Sequence, residues 1–232
     1  MCVVPLKSHD FSYIGVEQLS IFHCQLSIAR AMFFTFDGID GVGKSTQIDL
    51  FRAWLGERGH AVKQCRDPGS TPLGEAVREL LLHRAELHPD RAAEMFLYMA
   101  CRAQLTASVI EPALARGEVV ISDRYLLANV VYQGYAGGLD IDELWRIGKT
   151  ATRGVRPTLT FVLDLSPATA AARMNRPLDR MEQQTQDFKQ KLRTGFLAEA
   201  LRKPDQIVVI DADRPIAEIQ AEIRELAEQC GA

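Results

Sequence analysis

The chain has 232 residues, 47% of them hydrophobic and 25% charged, with a formal net charge of -3. That length suits one large domain, which buries roughly 70% of its unfolded surface without disulfide or metal staples. A slightly acidic chain with no low-complexity tract argues against binding of duplex nucleic acid through a general basic field, and leaves room only for a local basic pocket. Residues 1–31 fit no strand–helix unit and are expected to be an N-terminal extension outside a core domain of residues 32–232. Within them Ala29-Arg30-Ala31 imitates a secretion-cleavage triplet, but His23, Gln25 and Arg30 make the preceding stretch a poor apolar signal. After residue 31, β-rich runs alternate with amphipathic segments, the pattern of a parallel α/β sheet. The expected strands are Phe33–Asp37, Ala61–Cys65, Glu118–Ser122, Leu159–Asp164 and Gln206–Asp211, apolar enough to be covered by helices on both faces.

Helices are expected between them. Thr46–Arg58 stops at Gly59, a natural left-handed cap, and Thr71-Pro72 opens Pro72–Leu82 as an N-cap followed by an N1 proline. A long segment, Asp90–Ala115, ends before Gly117 and should be kinked or interrupted by Pro112. Ser166-Pro167 starts another helix, and Gln183–Lys203 and Pro215–Glu228 complete the set. Right-handed crossovers can join all five strands. Five cysteines (Cys2, Cys24, Cys65, Cys101, Cys230) are odd in number and form no CxxC pair. Neither a zinc site nor a disulfide framework is expected, and a reducing cytoplasm is the simplest compartment. No apolar run approaches the ~18–20 residues a membrane helix needs.

The chemistry begins at Gly38-Ile39-Asp40-Gly41-Val42-Gly43-Lys44-Ser45, which fits GxxxxGK[ST] and is followed by Thr46. An apolar run, Met32–Phe36, precedes it, and a periodic segment carrying Ile48, Leu50, Phe51 and Leu55 follows. That strand–turn–helix context is what a phosphate cradle requires; the bland alternative is a glycine-rich turn with a surface lysine. The glycines let backbone N–H groups converge on a β-phosphate, and the positive end of the new helix points there. Lys44 is expected to span the β- and γ-oxygens of ATP, and the Ser45 hydroxyl to ligate Mg²⁺. Without nucleotide the lysine charge is expected to face solvent. A second part is Glu118–Asp123, an apolar strand ending in a carboxylate and followed by Arg124. A carboxylate at the carboxyl end of a parallel strand faces the ligand crevice, although alone it could be a helix N-cap. Beside the cradle, Asp123 is expected near the metal and Arg124 on a phosphate.

Several further motifs narrow the reading: Phe36–Thr46 (FDGIDGVGKST), Arg66–Thr71 (RDPGST), Leu97–Gln104 (LYMACRAQ), Asp123-Arg124-Tyr125, Tyr132-Gln133-Gly134, and Leu178–Glu182 (LDRME) with Asp187-Phe188 behind it. In this order, over about residues 32–228, they resemble the thymidylate kinase family, in its bacterial type. The resemblance implies a P-loop NTPase fold: a five-stranded parallel sheet with helices on both faces and a mobile lid. It also implies that ATP phosphorylates dTMP to dTDP in dTTP biosynthesis, with Mg²⁺. By the same resemblance Tyr98 stacks on thymine, and Arg102, one turn later, donates to a base carbonyl. Asn129 and Gln133 face the base, Arg124 grips the acceptor phosphate, and Asp40 lies near the deoxyribose hydroxyl and the metal. Pro68 packs beside the nucleoside, and Tyr132 crowds C2′ of the sugar. Read without the family, Tyr98 and Arg102 would pass for helix core and a solvated arginine.

The stretch Arg173–Arg180 resembles the family's lid. Gly41 stands where some members carry a catalytic arginine in the P-loop, so the lid is expected to supply it: Arg173, Arg176 and Arg180 are the candidates, Arg176 and Arg180 ahead of Arg173, which falls at the end of the preceding helix. Departures are Asp67 for the family's usual Glu, Ser70 for Gly, Gly137 where an arginine is common, and Cys101 where Ala or Asp is frequent. The alternatives are a kinase of another pyrimidine nucleotide or a catalytically weak paralogue; a GTP-dependent switch would need an NKxD-type motif, which is missing. The implied partners are small nucleotides and, by resemblance, a second copy in a homodimer, with no nucleic acid or membrane.

Overall fold

The structure, a computed structural model, describes residues 31–174, 181 and 183–232. Five strands, β1 (Phe33–Asp37), β2 (Val62–Arg66), β3 (Val119–Asp123), β4 (Leu159–Asp164) and β5 (Ile207–Asp211), form one sheet in the order β2-β3-β1-β4-β5. Every pairing is parallel. The strand bounds agree with the sequence reading to within one residue at each end. β1 is central and wholly buried, and its Phe34 and Phe36 meet Phe51 and Phe161 at ring distances of 5.1–6.0 Å. Each such ring removed from water contributes roughly 1.5–3 kcal/mol. β2 departs from the expectation of a doubly covered strand. It lies at the sheet edge, buries only Cys65, and carries Lys63, Gln64 and Arg66 outward, which blunts edge pairing.

Helix α1 (Lys44–Glu57) starts two residues earlier than the sequence suggests, because Gly43 takes a left-handed conformation (φ 97°) that lets the helix begin inside the loop. Side-chain caps act where the sequence placed them. Thr71 accepts from the Gly74 N–H at the start of α2 (Pro72–His83), and Ser166 accepts from Thr169 at the start of α7 (Pro167–Ala172). Asp90 caps α3 (Arg91–Leu105), which runs through a wide π-type turn at Thr106–Ile110 into α4 (Glu111–Ala115). The wide turn is what Pro112 causes: with no N–H, and a ring that would strike the carbonyl four residues back, it cannot continue a regular helix.

The sequence reading named no helix between β3 and β4, yet two are present. α5 (Leu126–Asn129) continues as a π-type segment, Val130–Ala136, and α6 (Ile141–Ala151) follows. Residues 126–134 are buried on every side, so the chain shows no amphipathic period there. α6 did carry a signal, an Asp140 N-cap with Glu143 three residues on. α8 (Gln186–Arg202), capped by Thr185, and α9 (Ile216–Gln229) complete the chain order.

Candidate active site

A cleft of about 1220 Å³ opens above the carboxyl ends of β1 and β3, where the strand order reverses and α/β sheets hold their ligands. Its floor is the Asp40–Ser45 part of the Gly38–Ser45 turn. Gly38 (φ 128°) has no room for a side chain, since a Cβ would stand 2.5 Å from the Leu163 carbonyl oxygen; at Gly41 (φ 88°) it would strike the Ala170 carbonyl. The end of β4 and α7 therefore press the loop into shape from behind. Gly43, in contrast, faces open space, and with no side-chain cap the first N–H groups of α1 are left for an anion.

Cations and carboxylates converge on this floor. Lys44 donates to the carbonyls of Ile39 (2.8 Å) and Gly38 (3.2 Å), stands 3.7 Å from Asp40, and is only 8% exposed. The expectation of a solvent-facing lysine is thus corrected. The ammonium satisfies itself on the loop's own oxygens, and burial lowers its pKa. Arg124 adopts a left-handed backbone (φ 65°), held by donation from its N–H to the Phe36 carbonyl and from the Ser122 hydroxyl to its own carbonyl. This turn swings the guanidinium over the loop, where it donates to the Gly38 carbonyl (2.9 Å) and to Asp40 Oδ1 (2.6 Å). Tyr132 stands beside both, its ring 5.2 Å from the guanidinium and its hydroxyl donating to Asp40 Oδ2 (3.2 Å). Burial would raise the Asp40 pKa, but Arg124 and Lys44 outweigh it and hold the carboxyl well below the usual range.

Asp37, the last residue of β1, escaped the sequence reading, although the rule applied to Asp123 covers it equally. Both its oxygens, and Oδ1 of Asp123, are buried without a hydrogen-bond partner. Burial pushes the Asp37 pKa up to about 7 against the pull of Arg124 and Lys44.

The opposite wall is a buried polar chain. Arg102, 1% exposed, donates to Asp67 (2.6 Å), the Tyr125 carbonyl (3.1 Å), Met99 sulfur (3.3 Å) and Asn129 Oδ1 (2.8 Å). Asn129 donates to Gln133 Oε1 (2.6 Å), and Gln133 donates to Glu94 (3.0 Å). Glu94, on the first turn of α3, was also missed; only its spacing of eight residues from Arg102 hints at a shared face.

Most expected site residues meet in this cleft. Asp40 through Thr46, Pro68, Tyr98, Arg102, Asp123, Arg124, Asn129, Tyr132 and Gln133 all line it. Gly38 and Ile39 do not, acting from behind through their carbonyls. Arg173 caps α7 and binds the Ala212 carbonyl and Asp213. The lid residues Arg176 and Arg180 lie outside the described residues, as does most of the Leu178–Glu182 motif. At the family's arginine position, Gly137 instead receives Arg91 from α3, whose Nη1 donates to its carbonyl (2.5 Å).

Comparison with known proteins gives one consistent result. The family model described as thymidylate kinase matches residues 36–223. The chain is 45% identical over 197 residues to a thymidylate kinase of Leifsonia xyli subsp. xyli, covering 83% of this chain and 92% of that protein. It is 41% identical over 200 residues to one from Symbiobacterium thermophilum, covering 86% and 94%. A crystal structure of thymidylate kinase from Ehrlichia chaffeensis superposes with a TM-score of 0.71 at 28% identity, covering 85% of this chain and 98% of that one.

Proposed function

This chain belongs to the thymidylate kinase family, and on that premise we propose how its cleft carries out the reaction. The enzyme phosphorylates dTMP to dTDP with ATP as donor, in the supply of dTTP. The carrying observation is that an anion cradle and a polar, half-aromatic wall face one another across one cleft, with Arg124 between them. The Gly38–Thr46 turn takes the donor phosphates, and Lys44 leaves the Gly38 and Ile39 carbonyls for the β- and γ-oxygens. Arg124 leaves Asp40 for the acceptor phosphate. Tyr98, Arg102, Asn129 and Gln133 receive the base, Pro68 packs on the nucleoside, and Tyr132 and Asp40 border the sugar. The acceptor phosphate is already an anionic nucleophile, so positioning and charge neutralisation suffice and no strong base is required. Arg176 and Arg180 are the proposed cations closing over the transferred group.

Mg²⁺ fits the donor set: buried carboxylate oxygens of Asp123 and Asp37 lack partners at neighbouring strand ends, and the Ser45 hydroxyl opens α1. Ser45 and Asp123 would hold the ion, which would supply positive charge to offset that of the phosphates. Among the described residues no cluster of three or more His, Cys, Asp or Glu is poised for a metal.

We further propose a homodimer, supported by Leu73, Leu87 and Phe96, which leave large apolar side chains exposed on α2, the turn after it and α3. We also propose a cytoplasmic location; among the described residues no helix is long and apolar enough to cross a membrane. Residues 1–31 are proposed to lie outside the catalytic domain, so their deletion should leave turnover and melting temperature unchanged; a large drop in either refutes this. The central test is a coupled ADP-release assay with dTMP, dUMP, UMP, CMP and GMP as acceptors. dTMP should show the highest kcat/KM, and Lys44→Ala should lose about 3 kcal/mol or more of transition-state stabilisation. A different preferred acceptor, or near-full turnover without Lys44, overturns the assignment.

A further inference from the structure

We propose that Glu94 is a positioning residue that decides which hydrogen-bonding edge of a pyrimidine the cleft accepts, by fixing the orientation of the Gln133 and Asn129 amides. The proposal rests on the assignment of this wall to the nucleobase. A side-chain amide is ambivalent, with a carbonyl at one end and an NH₂ at the other, and two amides in series could run in either direction. Here both ends of the series are one-handed. Arg102 can only donate, so the atom of Asn129 facing it at 2.8 Å must be the carbonyl oxygen. The Glu94 carboxylate only accepts, so the atom of Gln133 facing it at 3.0 Å must be the nitrogen. The link between the amides, Asn129 Nδ2 to Gln133 Oε1 at 2.6 Å, is then the only polarity that satisfies both neighbours. Turning Gln133 over would set its oxygen against a carboxylate and its nitrogen against that of Asn129. Both amides are nearly fully buried, so water offers no easy relief.

The consequence is chemical selectivity. Each amide nitrogen keeps a second N–H with no protein acceptor among the described residues, and Arg102 adds a buried cation to the same wall. A 4-oxo pyrimidine presents a carbonyl acceptor beside an N3–H donor, whereas a 4-amino pyrimidine presents the reverse pair. A wall of locked polarity meets the 4-oxo acceptor of the first with donors and sets those same donors against the 4-amino group of the second; a wall free to turn its amides over serves both. Glu94 does not line the cleft itself. It acts through Gln133.

The test compares dTMP with dCMP, which share the phosphate and sugar and differ at the base edge that the wall meets. Glu94→Gln replaces an acceptor-only group by an ambivalent one, and Glu94→Leu removes the anchor altogether. For both variants the ratio of kcat/KM for dTMP over dCMP should fall at least tenfold, with the change carried mainly by KM and mirrored in calorimetric affinities for the two nucleotides. Both ligands are anions of equal charge, so loss of the Glu94 charge alone cancels in the ratio. Glu94→Asp, which keeps a carboxylate, should retain more of the selectivity than either. A merely structural role would lower the melting temperature or slow both nucleotides alike and leave the ratio intact; that outcome in both variants overturns the proposal. If the parent enzyme itself fails to phosphorylate dTMP, it is the assignment of the cleft that falls.

Discussion

Replacing Gly137 by alanine or arginine tests whether this loop has been remodelled around the absence of a side chain. The backbone there is ordinary (φ -86°, ψ -20°), open to any residue, so conformational preference does not demand glycine. Space does. A Cβ at this position would strike the Gln133 carbonyl oxygen and lie 2.9 Å from that residue's carbonyl carbon and Cα, all of them backbone. Relief requires the 133–137 turn to move, and overpacking of this kind costs about 1–3 kcal/mol. At roughly 2–4 °C per kcal/mol for a chain of this size, the melting temperature should fall by about 2–12 °C. The displaced residue is the one whose side chain joins Asn129 to Glu94, so the KM for dTMP should rise severalfold while the KM for ATP stays near its parent value. Differential scanning calorimetry and steady-state kinetics on Gly137→Ala read both. Arg91→Ala is the control: it deletes one exposed hydrogen bond to the Gly137 carbonyl and should cost about 1 kcal/mol or less. An alanine variant with parental melting temperature and parental dTMP KM refutes the steric argument.

Arg124→Ala should raise the KM for dTMP and lower kcat, whereas Arg176→Ala and Arg180→Ala should lower kcat alone; identical kinetic signatures for all three would refute that division of roles. Tyr132→Ala should narrow the kcat/KM gap between dTMP and its ribonucleotide counterpart by roughly ten- to hundredfold, the equivalent of about 1–3 kcal/mol. An unchanged ratio in a folded variant would reduce the ring to its packing between Arg124 and Phe188. Asp37→Asn should stabilise the nucleotide-free protein more at pH 8 than at pH 5. Its folded pKa of about 7 exceeds the ordinary 3.8, so the stabilising contribution of its proton is full below about 3.8 and lost as pH rises through 7. A shift of that size corresponds to roughly 4 kcal/mol above pH 7, and melting curves that move equally at both pH values would exclude it.

The legible parts of this fold were those with a local cause. The five strands, the strand–turn–helix around Gly38–Ser45, the Thr71 cap and the helix start at Ser166-Pro167 each follow from residues adjacent in sequence, and the structure bears them out. The segment 126–136 was illegible because burial on all sides erases the periodicity from which a helix is read. The self-satisfied state of Lys44 was missed for a different reason. A lysine in a phosphate loop is imagined with its phosphate, and the competing carbonyls of Gly38 and Ile39 are invisible until the loop is folded. Arg102 reads in sequence as a solvated arginine on a helix, and only the tertiary arrangement reveals that Asp67, 35 residues away, makes its burial possible. Asn129 and Gln133 drew attention only through the family resemblance, since nothing in their spacing foretells Glu94 as their anchor.

The pairing of Arg124 and Lys44 with Asp40 makes the cradle behave as an ion exchanger already loaded with its own counter-ion. An arriving phosphate trades places with an internal carboxylate, and the net charge of the floor changes less than a count of bare cations would imply. The long-range field that draws nucleotides inward is correspondingly weak, so capture should proceed without much electrostatic steering. Stopped-flow association of dTMP across roughly tenfold changes in ionic strength should then show a shallow salt dependence, and Asp40→Asn, by unloading the exchanger, should steepen it. A parent enzyme whose association rate already collapses with salt would mean that the two cations are, in solution, far less occupied with their carboxylate than the 2.6 Å contact between Arg124 and Asp40 implies.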